Sequence, residues 1–421
     1  MMRFTPRSSR ILIVSMLWVS AWAECVFGQA GHPELIPETM ARSHGLTRAW
    51  ATRLQVDPGR GRIKEITLHE GTLISVTDQG TVQALDAESG RTLWITPIGK
   101  PGHPCTAVGA SASYVAVCNG STLFVLGRMD GKILFTRRMQ GSPSAAPAVS
   151  EDRVYIPTFA GAVESYEINL VEPKLWPTTY RTRGTIEEAP VLAGENVIWA
   201  THVGAVYSAT TKDLTAVYRF MTRGEITAGL GYWPPLVYVA SADGYVYAID
   251  EKSGKRRWQF STGSPSREAP VALDGNLYTI SEISGMYCLS AEKGAERWFT
   301  GNVSKFISAS ATRLYTADET GRLMILDRRS GAHLDRLSTE LLPIKVVNIQ
   351  TDRIYLATKK GLVQCLREIE RVTPLVHALP PDPNLAPAPA AAARQPAATA
   401  EAPAADEGAP AEDPFGSVSQ P

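Results

Sequence analysis

Three segments of the chain combine arginine with glutamate at similar places. They are Thr182–Val191, Thr222–Leu230 and Ser264–Ala272, and they begin about 40 residues apart. Their charged members are Arg183, Glu187, Glu188, Arg223, Glu225, Arg267 and Glu268. Groups of both signs can pair with one another, or they can together bind a charged ligand or partner protein. The sequence leaves both alternatives open.

Two cysteines are candidates for redox chemistry. Cys105 and Cys118 bracket a run that is typical of a β-hairpin, with its turn near residues 110–113. Antiparallel pairing would put them roughly opposite each other, and an oxidising compartment would favour a disulfide. The alternative is two small buried thiols in neighbouring strands.

The remaining chemistry-bearing residues show no catalytic pattern. None of the seven histidines has the H-x-x-x-H spacing of a metal site, and no two of the five cysteines are adjacent. No Ser-His-Asp set can be assigned from the spacing. We therefore predict no catalytic residue, no cofactor and no metal.

An aromatic tip stands out at Gly231–Pro235, which reads GYWPP where comparable turns are polar. Tyr232 and Trp233 belong to the residue class that dominates protein interfaces. They are therefore predicted as a partner-binding anchor. The alternative is that they pack on the neighbouring structural unit.

These residues belong to a repeated unit. Similar sequence segments begin at glycines 80, 120, 161, 204, 244, 285, 321 and 361, at spacings of 36 to 43 residues. We call these the leading glycines. Self-similarity at a period near 40 indicates a repeat architecture.

Each repeat is typical of four short strands. Between Glu225 and Gly263, runs rich in Val, Ile, Tyr and Trp alternate with Gly, Asp and Ser, and EITAGLG (225–231) reads as the first strand. The third strand is apolar on both faces, so neighbouring units must cover both faces. We predict an all-β, eight-bladed propeller of four-stranded antiparallel blades. Its first strands line a central channel, so the charged segments should ring one mouth of that channel.

The turn after the third strand carries a second pattern, seen in Asp250, Gly254 and Trp258. Glycine can take the positive φ of the turn, and aspartate can accept hydrogen bonds from its backbone. The tryptophan then lies on the outermost strand and packs on the next blade, where burial contributes on the order of 4–6 kcal/mol at most. The same places are filled by Asp86, Gly90, Trp94, Phe135 and Trp298.

The ring is predicted to close through the start of the chain. The last repeat, about 340–370, contains three strands and lacks an obvious fourth. The segment Gly45–Val56 reads as a lone fourth strand, with Trp50 in the tryptophan position. Pairing it with the last three strands removes the open edges that promote aggregation.

The pattern A-x-D-x-x-[ST]-G-x-x-x-W occurs at Ala84–Trp94 and Ala248–Trp258, and it resembles the tryptophan-docking repeat of PQQ-like quinoprotein propellers. That family includes PQQ-dependent dehydrogenases and non-catalytic exported propellers similar to BamB, a subunit of the outer-membrane β-barrel assembly machinery. The dehydrogenases are larger, and many hold a vicinal cysteine pair and Ca²⁺ on acidic loops, for which no match occurs here. The resemblance therefore implies the BamB-like branch.

The two ends of the chain differ from the repeats. Residues 1–23 combine three arginines with an apolar stretch and small residues, so they are predicted to be a signal peptide cleaved before Glu24; a second possible cleavage site lies after Ala30, before Gly31. An uncleaved anchor, or lipidation at Cys25, is the alternative. Residues 24–44 are predicted to be a linker and 45–371 the propeller. Residues 372–421 are predicted to be a disordered, acidic tail rich in Pro and Ala.

Composition narrows the function. Lys and Arg together number 42, as do Asp and Glu, so no basic surplus points to nucleic acid. The resemblance implies a monomeric, non-catalytic scaffold in the periplasm or cell envelope that binds other envelope proteins, such as an outer-membrane assembly complex. Membrane contact would come through a partner or through an uncleaved or lipidated N-terminus. The alternatives are a PQQ-dependent quinoprotein and a propeller that binds a sugar or polymer.

Overall fold

A computed structural model describes residues 34–168, 171, 176–283 and 285–378. The predicted signal peptide and most of the predicted tail lie outside these residues. The described chain forms eight four-stranded antiparallel sheets and one short helix, α1 (Glu38–Ser43). Within the described ranges, no helix has the length and apolar character needed to cross a bilayer. The predicted eight-bladed all-β propeller is confirmed.

The blades follow the chain, and their strands run from the channel outward. Blade 1 consists of β2 (Ile63–His69), β3 (Thr72–Thr77), β4 (Thr81–Asp86) and β5 (Thr92–Pro97), and blade 2 of β6 (Gly109–Ala110), β7 (Tyr114–Asn119), β8 (Thr122–Gly127) and β9 (Ile133–Arg138). Blade 3 consists of β10 (Ala148–Val149), β11 (Arg153–Pro157), β12 (Ala162–Glu167) and β13 (Thr178–Arg181), and blade 4 of β14 (Val191–Ala193), β15 (Asn196–Thr201), β16 (Ala205–Thr210) and β17 (Ala216–Met221).

The second half repeats this order until the last blade. Blade 5 consists of β18 (Gly231–Trp233), β19 (Leu236–Ala240), β20 (Tyr245–Asp250) and β21 (Arg256–Ser261), and blade 6 of β22 (Val271–Leu273), β23 (Asn276–Ser281), β24 (Gly285–Ser290) and β25 (Glu296–Thr300). Blade 7 consists of β26 (Lys305–Ala309), β27 (Arg313–Ala317), β28 (Leu323–Asp327) and β29 (His333–Leu337). Blade 8 combines β30 (Ile344–Lys345), β31 (Ile354–Ala357) and β32 (Leu362–Glu368) with β1 (Leu46–Arg53).

Burial changes with distance from the channel. The third strand β20 buries its four central residues, since blades lie against both of its faces. The outermost strand β21 alternates exposed and half-buried residues, because only one of its faces meets a neighbour. The innermost strand β18 has only three residues, since the sheets converge towards the axis. The run 225–231, predicted as that strand, is mainly the connection that leads into it.

The start of the chain completes the last blade, as predicted. Strand β1 pairs with β32 from Leu46 opposite Glu368 to Arg53 opposite Leu362. A one-residue bulge precedes Trp50, as it precedes Trp94 and Trp258 in their blades. The bulge directs each ring towards the next blade.

Each docking tryptophan lies on a glycine turn of the next blade. The indole Nε1 donates to a backbone carbonyl there: Trp50 to Ala87 (3.0 Å), Trp94 to Arg128 (2.8 Å), Trp258 to Ala291 (3.1 Å) and Trp298 to Arg328 (3.2 Å). A Cβ added at Gly294 would lie 2.5 Å from the Trp258 ring. Glycine therefore provides the space for the ring.

The turn itself has the expected chemistry. Gly254 has a φ of 66°, and Asp250 Oδ1 accepts from the backbone N–H of Ser253 at 2.9 Å. A hydrogen bond from Arg257 and those from Ser253 lower the pKa of Asp250 to about 2. Gly90 has a φ of 69° and lies under Trp50.

Four blades depart from the tryptophan pattern, because the corresponding position is occupied by Phe135 in blade 2, Thr178 in blade 3, Tyr218 in blade 4 and Asp335 in blade 7. Phe135 is half-buried and packs against the core between blades 2 and 3. In blade 4 Tyr218 takes the tryptophan position and lies on Gly254. Sequence reasoning missed Tyr218, although it follows Thr210 by eight positions, as Trp258 follows Asp250.

The predicted disulfide is absent from the structure, because Cys105 and Cys118 are both free and buried. Cys105 lies opposite Asn119, one residue away from the expected partner. Side chains at neighbouring positions of a strand point to opposite faces. Cys105 therefore packs between blades 1 and 2, and Cys118 between blades 2 and 3.

The segments flanking the propeller are more ordered than predicted. The predicted linker contains α1, whose Glu38 accepts a hydrogen bond from the Thr47 hydroxyl of β1 at 2.5 Å. At the other end, the predicted tail begins with residues that bond to the propeller, since His377 N–H donates to Gln350 at 2.8 Å. The described residues 372–378, which were predicted to belong to the tail, are therefore hydrogen-bonded to the propeller.

Candidate interaction surface at the channel mouth

One end of the ring is built from two kinds of segment. These are the connections that lead into each innermost strand and the turns between second and third strands. Backbone hydrogen bonds join them: His202 N–H donates to Thr185 at 3.0 Å, and Ala242 N–H donates to Glu225 at 2.8 Å. We call this end the mouth face. All seven charged residues predicted at the channel mouth lie in these connections.

Carboxylates from different blades interact at the mouth face. The surrounding connections remove part of the solvent around the Glu188 carboxylate, although its side chain remains exposed. This desolvation, followed by the charges of Glu65, Glu268 and Glu187, raises the pKa of Glu188 to about 6. Burial also raises the pKa values of Glu65 and Glu268. The sequence predicted Glu187, Glu188 and Glu268 here. It missed Glu65, which begins a blade whose connection lacks the Arg-Glu pattern.

Two lysines, Lys64 and Lys305, also lie at the mouth face, and they offset the negative charge of these carboxylates only in part. Lys305 lowers the pKa values of Glu65 and Glu268 and so opposes the effect of burial. The Lys64 ammonium donates to the backbone carbonyl of Cys105. Neither lysine was predicted, because a single Lys at the start of a strand gives no distinctive signal.

The predicted arginines do not neutralise the predicted glutamates. Arg267 pairs at 2.5 Å with Glu282 of a neighbouring turn. In the described part of the chain, Arg183 and Arg223 form no ion pair with the glutamates of the predicted set. Both arginines are exposed. These charges are therefore available to a ligand or partner.

A recess of about 640 Å³ opens at this face between blades 1 and 4. Lys64, Glu65, Glu187 and Glu188 stand on its two sides. Blades 2 and 3 contribute small residues where blade 4 has its two glutamates, namely Thr106, Ala107, Ser142, Ser144, Ala145 and Ala146. The missing side-chain volume forms the recess, whose size lies in the range of ligand pockets.

Apolar side chains project among the charges. Phe159, Val203 and Ile283 occupy turns between second and third strands and are 63%, 41% and 83% exposed. Large exposed apolar side chains together with unpaired charges are typical of a protein interface. Each of these three residues lies one or two positions before one of the leading glycines of the repeats. This regularity is visible in the sequence, but the predictions did not include it.

The structure corrects the prediction that the aromatic tip, Tyr232 and Trp233, is an exposed anchor. Trp233 is half-buried and packs against the core between blades 5 and 6, near Leu236 and Ala272. The Tyr232 hydroxyl donates to Glu251 at 2.7 Å. The tip belongs to the first-to-second-strand turn, at the end opposite the mouth face. The packing alternative therefore describes Trp233, and the exposed-anchor alternative does not.

Among the described residues, no three His, Cys, Asp or Glu side chains are arranged to hold a metal ion. Apart from the adjacent Glu187 and Glu188, the glutamates of the mouth face come from separate blades around the channel.

A family profile and two relatives point to the same family. A sequence profile of the family described as outer membrane protein assembly factor BamB matches residues 78–170 and 174–336. BamB of Yersinia pestis is 22% identical over 284 residues, which is 60% of this chain and 70% of that protein. BamB of Shewanella oneidensis is 24% identical over 225 residues, 50% of this chain and 47% of that protein.

A third relative shares a smaller part of its length. The serine/threonine-protein kinase AfsK of Streptomyces griseus is 28% identical over 253 residues, 56% of this chain but only 29% of the kinase.

Solved structures agree on the fold. BamB from Moraxella catarrhalis superposes with a TM-score of 0.61 at 19% identity, over 76% of this chain and 97% of that chain. The computationally designed Ika8 protein gives a TM-score of 0.58 at 14% identity, over 74% and 97%. At such identities the likeness establishes architecture alone.

Proposed function

The chain belongs to the family described as outer membrane protein assembly factor BamB, and from that premise we propose that it is a non-catalytic scaffold for outer-membrane protein assembly. The observation that carries this proposal is the profile match, which extends from blade 1 into blade 7. A closed ring suits the role, because a rigid framework can present loops in fixed positions.

We propose that the mouth face contacts the partner, a protein of the outer-membrane assembly complex. Phe159 and Ile283 supply exposed apolar contacts. Arg183 and Arg223 supply exposed positive charges that do not pair with the glutamates of the predicted set. Apolar side chains at the centre of an interface carry most of the binding free energy, while surrounding charges set orientation and association rate.

Affinity purification from cell envelopes tests this proposal. The tagged full chain should co-purify with outer-membrane assembly proteins, identified by mass spectrometry. Phe159→Ser combined with Ile283→Ser should reduce their recovery at least tenfold. The matched control is Met129→Ser, because Met129 is 76% exposed at the opposite end. Equal recovery by the mouth variant and the control would exclude the mouth face.

The scaffold role predicts a cellular effect as well. Loss of the chain should lower the amount of heat-modifiable, folded β-barrel protein in the outer membrane, and re-expression should restore it. A chain ending at residue 378 tests whether the tail contributes. Normal barrel assembly without the chain would contradict the assembly role.

Export is part of the proposal, supported by the pattern of residues 1–23. The mature protein should begin at Glu24 or Gly31, which N-terminal sequencing can establish. Incorporation of labelled palmitate that depends on Cys25 would instead support lipid anchoring.

The quinoprotein alternative predicts a different result. Adding PQQ and Ca²⁺ to the purified chain should produce neither quinone absorbance changes nor dye reduction if the protein is a scaffold. Dye reduction that depends on both additions would establish an enzyme.

A further inference from the structure

The joint between blades 7 and 8 differs from the joints sealed by tryptophan. Asp335 follows Asp327 by eight positions and so occupies the place that Trp258 has in blade 5. Blade 8 also lacks the glycine turn, because its outermost strand is β1 and not a continuation of β32. A tryptophan-on-glycine contact therefore cannot form at this joint.

The start of the chain fills part of this gap. His44 follows α1, and its Nδ1 lies 2.5 Å from the Asp335 carboxylate. The hydroxyl of Tyr315, in blade 7, donates to Glu368 of blade 8 at 2.8 Å. At the outer edge of the joint, polar contacts thus occupy the place that a docking tryptophan has at four other joints.

The segment that follows β32 crosses the same joint on the side opposite the mouth face. We call residues 371–378 the clasp. It pairs with blade 8, where Asp352 N–H donates to Leu375 at 3.2 Å and His377 N–H donates to Gln350 at 2.8 Å. The His377 ring then lies 2.9 Å from the Ala309 carbonyl of blade 7 and 3.2 Å from the Asp274 carboxylate of blade 6. His377 is only 4% exposed, so the clasp is packed and not loosely laid on the surface.

Arg353 anchors the clasp. It is 1% exposed, and its Nη2 and Nη1 donate to the carbonyls of Val372 at 2.7 Å and Arg371 at 3.2 Å. Its Nε donates to Glu88 of blade 1 at 3.1 Å. A buried guanidinium needs partners for its donors, so losing the two clasp carbonyls would leave a charged group under-bonded inside the protein.

We propose that the clasp is a releasable lock for the ring, which replaces tryptophan docking at the joint between blades 7 and 8. With the clasp in place, blade 8 is held to blades 6, 7 and 1. When the clasp is released, blade 8 opens locally as a unit, and its contacts with blade 1 around Trp50 and Glu88 open with it, while blades 1 to 7 stay closed. Such opening follows from the uneven distribution of stability within a fold. This proposal concerns the ring itself and is independent of the scaffold function.

Buried cysteines provide the reporters. Cys365 lies in β32 of blade 8 and packs against blade 1, so it reports on the opening of blade 8 as a whole. Cys118 lies between blades 2 and 3, and neither side chain is exposed. Thiol labelling followed by peptide mass mapping gives a rate for each. A chain ending at 378 should label like the full chain, whereas a chain ending at 370 should label Cys365 at least tenfold faster with Cys118 unchanged. Equal labelling of Cys365 in both truncated chains, or equal acceleration at both cysteines, would overturn the proposal.

A point variant covers the case in which the shorter chain does not fold. His377→Ala in the full chain should raise Cys365 labelling at least threefold, with Cys118 again unchanged. The matched control is His103→Ala, an exposed histidine of blade 2. If both histidine variants label Cys365 at the same rate, the clasp does not lock blade 8.

Discussion

The outer rim and the mouth face are built from the same repeats, yet different physical effects shape them. At the rim, Trp258 fills the space left by a glycine and donates one hydrogen bond, so shape and burial decide the structure. At the mouth face, Glu188 and Arg183 remain exposed, and the arginines and glutamates of the predicted set do not neutralise one another by pairing. The difference indicates that the rim specifies the ring, while the mouth face can vary and bind.

The largest effect is expected at the rim. Trp258→Ala should lower the free energy of unfolding by about 3 kcal/mol, since a large ring is lost between two blades and the Ala291 carbonyl keeps only the Tyr238 hydroxyl as a side-chain donor. Chemical denaturation measures this. Trp176→Ala is the matched control, because Trp176 is 75% exposed. Similar losses for both variants would remove the distinction between docking and surface tryptophans.

The glycine beneath the ring should come next. Gly294→Ala places a Cβ 2.5 Å from the Trp258 ring at a φ of 68°, so strain and overpacking together should cost about 2–3 kcal/mol. Gly275→Ala is the control, because Gly275 has a φ of 74° and nothing within 4 Å of the added Cβ. It should cost only about 1 kcal/mol, from backbone strain. Equal losses of stability would mean that the ring does not need the space above the glycine.

The smallest effect on stability is expected at the mouth face. The pKa of Glu188 is raised to about 6, so its ionisation is disfavoured in the folded state. Its contribution to stability is present below pH 4.5 and is lost as the pH rises through 6. Glu188→Gln should therefore stabilise the protein at pH 7 and have no such effect at pH 4. Solvent screening of this exposed group keeps the difference to about 1 kcal/mol or less.

Melting temperatures of both proteins across this pH range provide the measurement. Glu65→Gln is the companion variant, because removing a like charge should bring the pKa of Glu188 closer to its ordinary value, as NMR titration can show. If the wild type and Glu188→Gln change in parallel with pH, the carboxylates of the mouth face do not interact as described.

Much of the fold could be predicted because it depends on a period and on a few residue types. The leading glycines predicted eight blades, and Trp50 identified the strand that completes the last blade. The docking of Trp258 followed from the same pattern, since a turn with Asp and Gly before an outer-strand Trp is a local signal. Tyr218 was missed because its turn has Leu214 where other copies have glycine, although Leu214 has the same positive φ of 56°.

Details that depend on register or on distant parts of the chain were predicted poorly. Cys105 and Cys118 lie in one hairpin, but a shift of one residue sends their side chains to opposite faces of the sheet. Trp233 had the composition of an exposed anchor, and the neighbouring blade nevertheless covers it. Glu65 joins Glu188 only because the ring brings blades 1 and 4 to one channel.

The sequence by itself determined how many sheets form, where each turns and which ring seals it to the next, because these depend on side chains within one repeat. Only the tertiary structure decided which charges share the channel mouth and which residues lock the last joint. The physical reason is that closing the ring brings together groups far apart in the sequence, such as Arg353 and Glu88, which are separated by 265 positions and whose pairing no local pattern encodes.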